Sequence, residues 1–283
     1  MSKKITSVLL VTHPTRAEAI STATELAKLF NEKKLKVFST INTAGTTPWQ
    51  DSEQADLALV LGGDGTMLRA AELCRGKSMP VLGINLGHVG FLAEVERPTL
   101  AQITESIFNG SFTVEERMSL NYQLLRGGKE ILAGWALNEV LIERNDHQMI
   151  DLFVQIDHRP LSRWWCDSVI CATPTGSTAY AYSAGGPVVW PEVDALVLLP
   201  LAAHALFSRP MVVSPQSEIV IDLASASADL NADGIRRTKL EINDRIILTS
   251  AKEDVLLAHI KPATFTDRLV AKFKLPVEGW RGE

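Results

Sequence analysis

ADLALVLGGDGTMLRAAEL, residues 55–73, places an unbroken apolar run, Leu57 to Leu61, directly before three glycines and one carboxylate. Such a run suits a strand buried on both faces of a parallel sheet. From Thr66 onward Met67, Leu68, Ala70 and Ala71 fall at helical spacing, so Gly62, Gly63 and Gly65 occupy a strand-to-helix turn. Missing side chains there let backbone N–H groups close on an anion at the positive end of the helix. Gly62, Gly63, Gly65 and Thr66 are therefore the expected phosphate contacts. Asp64 has the wrong sign for that task, so its carboxylate is expected to face a metal or a hydroxyl group. An isolated Gly-Asp-Gly is equally well an ordinary tight turn; the strand before it and the helix after it favour a site.

The flanking chain repeats the same alternation. Val8–Val11 reads as a strand, Arg16 to Phe30 as a helix, Lys36–Phe38 and Val81–Ile84 as further strands, and Pro98-Thr99 opens a helix reaching Phe108. Strands alternating with helices imply parallel βαβ units. Beyond Arg117 the texture changes. Gly127-Gly128 in NYQLLRGGKEIL and the turn within LFVQIDHRPLS signal hairpins, and EIVIDL, KLEINDRIILTS and VLLAHI add β-rich segments. The expected organisation is an α/β domain with a parallel sheet over 1–118, a β-rich domain over 119–261, and a tail over 262–283 that packs back on the first domain.

Composition narrows the class. The chain has 283 residues, 46% of them hydrophobic, enough for two domains with real cores. A net charge of −5 argues against nucleic acid as a partner. Three cysteines without CxxC spacing and six scattered histidines make neither a disulfide framework nor a metal-ligand cluster. The opening MSKKITSVLLVTHP has too short an apolar part for a signal peptide and reads as a strand. ALVLLPLAAHALF is broken by Pro200 and His204 and falls short of the ~20 residues of a spanning helix. A cytoplasmic protein with no membrane partner is expected.

Two further stretches carry chemistry. In LNEVLI, Asn138 and Glu139 sit side by side in what reads as a strand, so one of them points inward and needs a partner there; a solvated strand end is the plainer alternative. In CATPTGSTAYAYSAGGP, residues 171–187, small residues and hydroxyls would let a flat ligand approach the backbone, with Tyr180 available for stacking. Ser177 or Thr178 is a candidate cap for the helix that follows. Asp167, ahead of the strand leading there, adds an acceptor for a sugar hydroxyl or is an ordinary surface acid. No GxxxxGK[ST] occurs, and the glycines of GINLGHVG at 83, 87 and 90 do not fit GxGxxG.

GGDGT, the Asn-Glu pair and TPTGSTAY, in this order, resemble the NAD kinase family, and its actinobacterial branch most. The resemblance runs on through SAGGPVVWPEVDAL, AHALFSRPMVV, Asp233-Gly234 and TDRLVAKFKLPVEGWRG. GGDGT alone would be weak, since related motifs occur in lipid kinases and phosphofructokinases. The resemblance implies a Rossmann-like, phosphofructokinase-like first domain and a kinase that phosphorylates the 2′-hydroxyl of the adenosine ribose of NAD. ATP or inorganic polyphosphate would be the donor, Mg²⁺ the cofactor, and a homodimer or homotetramer the assembly. Carried over by matching positions, Asp64 is the catalytic acid. Gly65, Arg69, Asn138, Glu139, Asp167, Thr175, Thr178, Ala179, Tyr180 and Ser183 are the implied NAD contacts. Ser168, where the family usually has glycine, and Trp164-Trp165 before it depart from the pattern. The competing readings are a lipid or sugar kinase sharing GGDGT, a non-catalytic NAD-binding sensor, and a hydrolase built on Ser183 with His204 and Asp194. The hydrolase lacks GxSxG directly after a strand, and a binder gains little from a carboxylate beside phosphate.

Overall fold

Leu57–Leu61 is a strand with all five side chains buried, as an apolar run without polar alternation requires. The structure, a computed structural model, describes residues 4–86, 90–94, 98–225 and 227–277. Along the first part of the chain lie β1 (Ser7–Thr12), α1 (Ala17–Glu32), β2 (Lys36–Ser39), β3 (Thr47–Pro48) and β4 (Leu57–Leu61). They are followed by α2 (Asp64–Cys74), β5 (Val81–Ile84), α3 (Leu100–Asn109) and β6 (Thr113–Arg117). β1 pairs in parallel with β2 and β4, and β4 with β5. α1 buries Ala19, Ala23, Leu26, Ala27 and Phe30, a stripe at helical spacing. α3 begins in a capping box between Thr99 and Gln102 and ends at Gly110, whose φ of 65° suits glycine. Gly87 of GINLGHVG lies outside the described residues.

The second part is antiparallel throughout. It comprises β7 (Leu120–Arg126), β8 (Lys129–Ala136), β9 (Glu139–Arg144), β10 (Ile150–Ile156), β11 (Arg159–Cys166) and β12 (Ser168–Ala172). A 3-10 turn (Thr175–Thr178) and the short α4 (Tyr180–Ser183) interrupt it. Then come β13 (Leu196–Leu201), β14 (Met211–Val213), β15 (Ile219–Leu223), β16 (Ala228–Ala232), β17 (Arg236–Leu240) and β18 (Arg245–Ser250). Two sheets result, in the orders β11-β10-β15-β18-β7-β8 and β14-β13-β12-β9-β16-β17. The β7–β8 hairpin turns at Gly127 and Gly128, with φ of 58° and 76°, and β10–β11 turns at Asp157 and His158, also left-handed. Trp164 is fully buried in this core and donates its indole N–H to the Phe207 carbonyl at 3.0 Å.

The chain then returns to its first sheet. β19 (Val255–His259) pairs in parallel with β5, and α5 (Phe265–Phe273) follows. The sheet order is β3-β2-β1-β4-β5-β19-β6. VLLAHI, read from sequence as the last segment of the β-rich half, is thus a strand of the α/β unit. Its apolar run suits either kind of sheet, and periodicity does not name a partner. The two units are Met1–Glu116 with Val255–Glu283, and Arg117–Asp254. Residues 278–283, which include the last five of the TDRLVAKFKLPVEGWRG match, lie outside the described part. The three cysteines are free and buried, and burial pushes each thiol up to about 12. No helix among the described residues is long and apolar enough to cross a membrane.

Candidate active site

The glycine turn divides its labour between two sides. α2 begins at Asp64 rather than at Thr66, with Gly63 as its N-cap and no side-chain cap; the Thr66 N–H donates to the Gly63 carbonyl at 2.9 Å, which leaves the Asp64 and Gly65 amides for a ligand. Gly63 and Gly65 have empty space where a Cβ would stand. A cleft of about 390 Å³ opens there, lined by His13, Pro14, Arg16, Gly63, Gly65, Thr66 and Arg69. Two guanidinium groups and a helix N-terminus make it a cleft for anions. Gly62 is buried and belongs to the packing of the turn: a Cβ there would fall 2.4 Å from Thr66 Oγ1. Arg69, which the resemblance implied as an NAD contact, lines this phosphate-side cleft, and His13 and Arg16 beside it were not expected from sequence. Their position just after the first strand, where ligands gather in α/β sheets, was the available signal.

Asp64 is not among the residues lining that cleft. Its Oδ2 accepts the Phe91 N–H at 3.1 Å and its Oδ1 the Leu92 N–H at 3.3 Å. A Cβ on Gly90 would fall 2.1 Å from Oδ1, so only glycine lets the carboxylate sit where it does. An ionised carboxylate has about four acceptor positions. Two amides fix the group and leave the remainder for a hydroxyl or a cation.

In the second unit the structure brings the Asn-Glu pair against the TGSTAY segment. Asn138 lies in the turn between β8 and β9 rather than within a strand, because Asp233 draws that turn together. Its carboxylate accepts the N–H groups of Leu137 (2.8 Å), Asn138 (2.7 Å) and Glu139 (3.3 Å), with Arg236 at 3.1 Å. Thr173 donates its N–H to the Asn138 carbonyl at 2.8 Å and its hydroxyl to that of Leu137. Gly176 approaches so closely that a Cβ would lie 2.0 Å from the Asn138 carbonyl oxygen. Thr175 is buried within reach of Arg117, Thr178 closes its own turn by donating to the Thr175 carbonyl, and Ala179 precedes α4. Tyr180 and Ser183 are exposed. Ser177 caps nothing; its hydroxyl instead accepts the Val189 N–H at 2.9 Å and donates to the Pro174 carbonyl, tying two loops together.

Glu139 is the buried member of the pair, and its Oε2 has no hydrogen-bond partner. Burial, reinforced by the nearby Asp233 charge, pushes its carboxyl up to about 8, against the pull of the Tyr180 amide. Burial also raises Asp233, but three amides and Arg236 oppose it. Asp233 has several donors and Glu139 one, so Glu139 is the member that holds a proton at neutral pH.

Asp167 stands apart from this cluster. It lies at the opposite end of β12 from Thr175, and Ala172 at the near end pairs with Glu139. Five residues of strand put it roughly 16 Å away. Arg144 holds its carboxylate at 3.1 Å.

Residues 32–112 match the ATP-NAD kinase N-terminal domain, and residues 137–260 the ATP-NAD kinase C-terminal domain. The NAD kinase of Corynebacterium diphtheriae is 43% identical over 97% of this chain and 93% of its own. That of Mycobacterium tuberculosis is 42% identical over 98% of each. The chain belongs to the NAD kinase family. Among solved structures, an NAD kinase from Archaeoglobus fulgidus in complex with ATP is 26% identical, covers 95% of this chain and 98% of its own, and superposes with a TM-score of 0.72. A yeast NADH kinase complexed with NADH shares the fold at a TM-score of 0.87 and 21% identity, over 99% of this chain and 91% of its own.

The departures from the NAD kinase pattern now have places. Trp164 is a core residue and Trp165 is half exposed on the other face of β11. Ser168 opens β12, buried, with its hydroxyl unpartnered. All three lie at the Asp167 end of the strand, away from the Asn138–Tyr180 cluster.

Proposed function

We propose that the protein transfers the terminal phosphoryl group of ATP or inorganic polyphosphate to the 2′-hydroxyl of the adenosine ribose of NAD, giving NADP. The observation that carries this reading is the glycine turn, with open amides and two arginines on the cleft side and a fixed carboxylate on the other. Donor phosphates fit the cleft, met by Gly63, Gly65, Thr66, Arg16 and Arg69. All of these contacts read phosphate and none reads a base, so ATP and polyphosphate fit them equally.

Phosphoryl transfer passes through a loose transition state, so alignment and charge neutralisation dominate. Asp64 accepts the hydrogen bond of the 2′-hydroxyl and orients it in line with the donor phosphorus. The new ribose O–P bond forms as the bridging P–O bond breaks. The hydroxyl proton passes late to Asp64, and the shortened donor leaves with the electron pair. Mg²⁺ is held elsewhere through one or two carboxylates plus substrate phosphates, and Asp64 has acceptor positions to spare for it. Bound there, it would neutralise charge on the donor phosphates. Asn138, Glu139, Thr175, Thr178, Ala179, Tyr180 and Ser183 hold NAD: the buried Glu139 Oε2 offers a ribose hydroxyl its missing partner, and the exposed Tyr180 ring offers a stacking face.

The test is purified protein with NAD, Mg²⁺ and either ATP or polyphosphate, followed by a dehydrogenase that accepts only NADP. No NADP with either donor would overturn the reading. Exposed Trp165, Leu206, Phe207 and Val212 supply apolar surface for the homodimer or homotetramer expected of the family. Light scattering checks that assembly.

A further inference from the structure

Residues 90–94 hold Asp64 but belong to no helix or strand, so no ladder of their own fixes them. What fixes them is the C-terminal helix. Arg268 of α5 is only 2% exposed. Its Nη1 donates to the Ala93 carbonyl at 2.6 Å and to the Phe91 carbonyl at 3.4 Å, and its Nη2 donates to His259 Nδ1 at 3.2 Å. That acceptance at Nδ1 turns the His259 Nε2 toward Glu115, at 3.2 Å. The Phe91 ring packs between Phe265 and Phe273 of the same helix, at 6.0 and 5.7 Å between centroids. Glu94 is pinned as well, its N–H on the Gly83 carbonyl and its carboxylate on the Ile260 N–H.

One peptide group joins the two ends of this network. The Phe91 carbonyl accepts from Arg268, and the N–H of the same peptide unit, that of Leu92, donates to Asp64 Oδ1. A cation on the carbonyl oxygen polarises the amide and strengthens what its N–H offers the carboxylate. A buried guanidinium would be costly without such partners.

We propose that Arg268 is a positioning residue for the transfer, setting the Asp64 carboxylate through the backbone of residues 91–93. It touches neither substrate. The proposal rests on the reading of Asp64 as the residue that orients the hydroxyl.

A double-mutant cycle tests it. Arg268→Lys, which keeps the charge but loses the fork, is expected to lower kcat about tenfold or more, since small misplacements of a reacting group are costly. The KM for NAD should stay within about twofold, because Asp64 aligns the hydroxyl rather than binding the dinucleotide. In an Asp64→Ala background the two amides have nothing left to position, and Arg268→Lys should then change kcat by less than about twofold. Losses that multiply in full overturn the proposal and leave Arg268 a merely structural residue. If Asp64→Ala alone keeps more than about a tenth of kcat, the Asp64 reading itself has failed. Phe273→Leu, which loosens the seat of Phe91 without touching a charge, serves in the same cycle if Arg268→Lys does not fold.

Discussion

Asp64 is the carboxylate held at the glycine turn by Phe91 and Leu92, and Asp64→Asn keeps its size while removing its charge and its ability to take a proton. Loss of a general base costs about 10²–10⁴ in rate. We therefore expect kcat to fall at least about a hundredfold, with melting temperature and NAD affinity nearly unchanged. Steady-state kinetics beside a thermal melt checks this. Raising Mg²⁺ should not restore the rate if Asp64 acts on the hydroxyl. Glu139 gives a second test at this scale. Its carboxyl titrates near 4.5 unfolded and about 8 folded. Between those values the folded state holds the extra proton, so its contribution to stability is complete below 4.5 and is lost as pH rises to about 8. Glu139→Gln cannot ionise and still accepts the Tyr180 amide. In melts it should exceed the wild type at about pH 8.5 and lose that advantage by about pH 5. An advantage independent of pH would mean Glu139 carries no proton. The place of Asp64 at a strand-to-helix turn was legible in the sequence because its neighbours are glycines between an apolar run and a helical pattern. The proton on Glu139 was not, because Asp233, its charged neighbour, lies 94 residues away in the chain.

Among the elements, the close approach of the 3-10 turn to the β8–β9 turn decides whether the Asn-Glu pair and the TGSTAY segment form one surface. Gly176 is not in a left-handed conformation, so its requirement is space alone: the Asn138 carbonyl stands where a methyl group would. Gly176→Ala should cost about 1–3 kcal/mol through overpacking. It should also raise the KM for NAD more than it lowers kcat. Denaturant melts and substrate titration would show both, and an unchanged KM would separate this contact from NAD binding. Hairpin turns such as Gly127-Gly128 were readable because their chemistry is local. The Asn138 turn was not: its geometry comes from Thr173 and Asp233, just past the ends of β12 and β16, which only tertiary pairing brings alongside.

On the scale of the whole molecule the α/β unit is discontinuous, since β19 lies between β5 and β6 in its sheet. A fragment ending near 118 would therefore leave a gap in its own sheet and lack the helix that seats residues 91–94. Residues 4–116 joined to 255–277 by a short Gly/Ser linker should melt cooperatively, and residues 4–118 alone should not. Circular dichroism melts of the two fragments check this. Equal cooperativity would mean that β19 is dispensable.

Short segments of the chain were enough to place the strand-to-helix turn with its glycines, the change from βαβ alternation to hairpins near residue 117, and the family, through three motifs in order. Each is a property of short segments, where apolar spacing and turn chemistry act locally. It took the folded chain to show that β19 completes the first sheet, that Asp167 lies a strand's length from Glu139, and that Arg268 reaches Ala93 across 175 residues. Periodicity says which face of a segment is buried. Which distant segment covers that face, and so which charges are desolvated together, is fixed only when the whole chain packs.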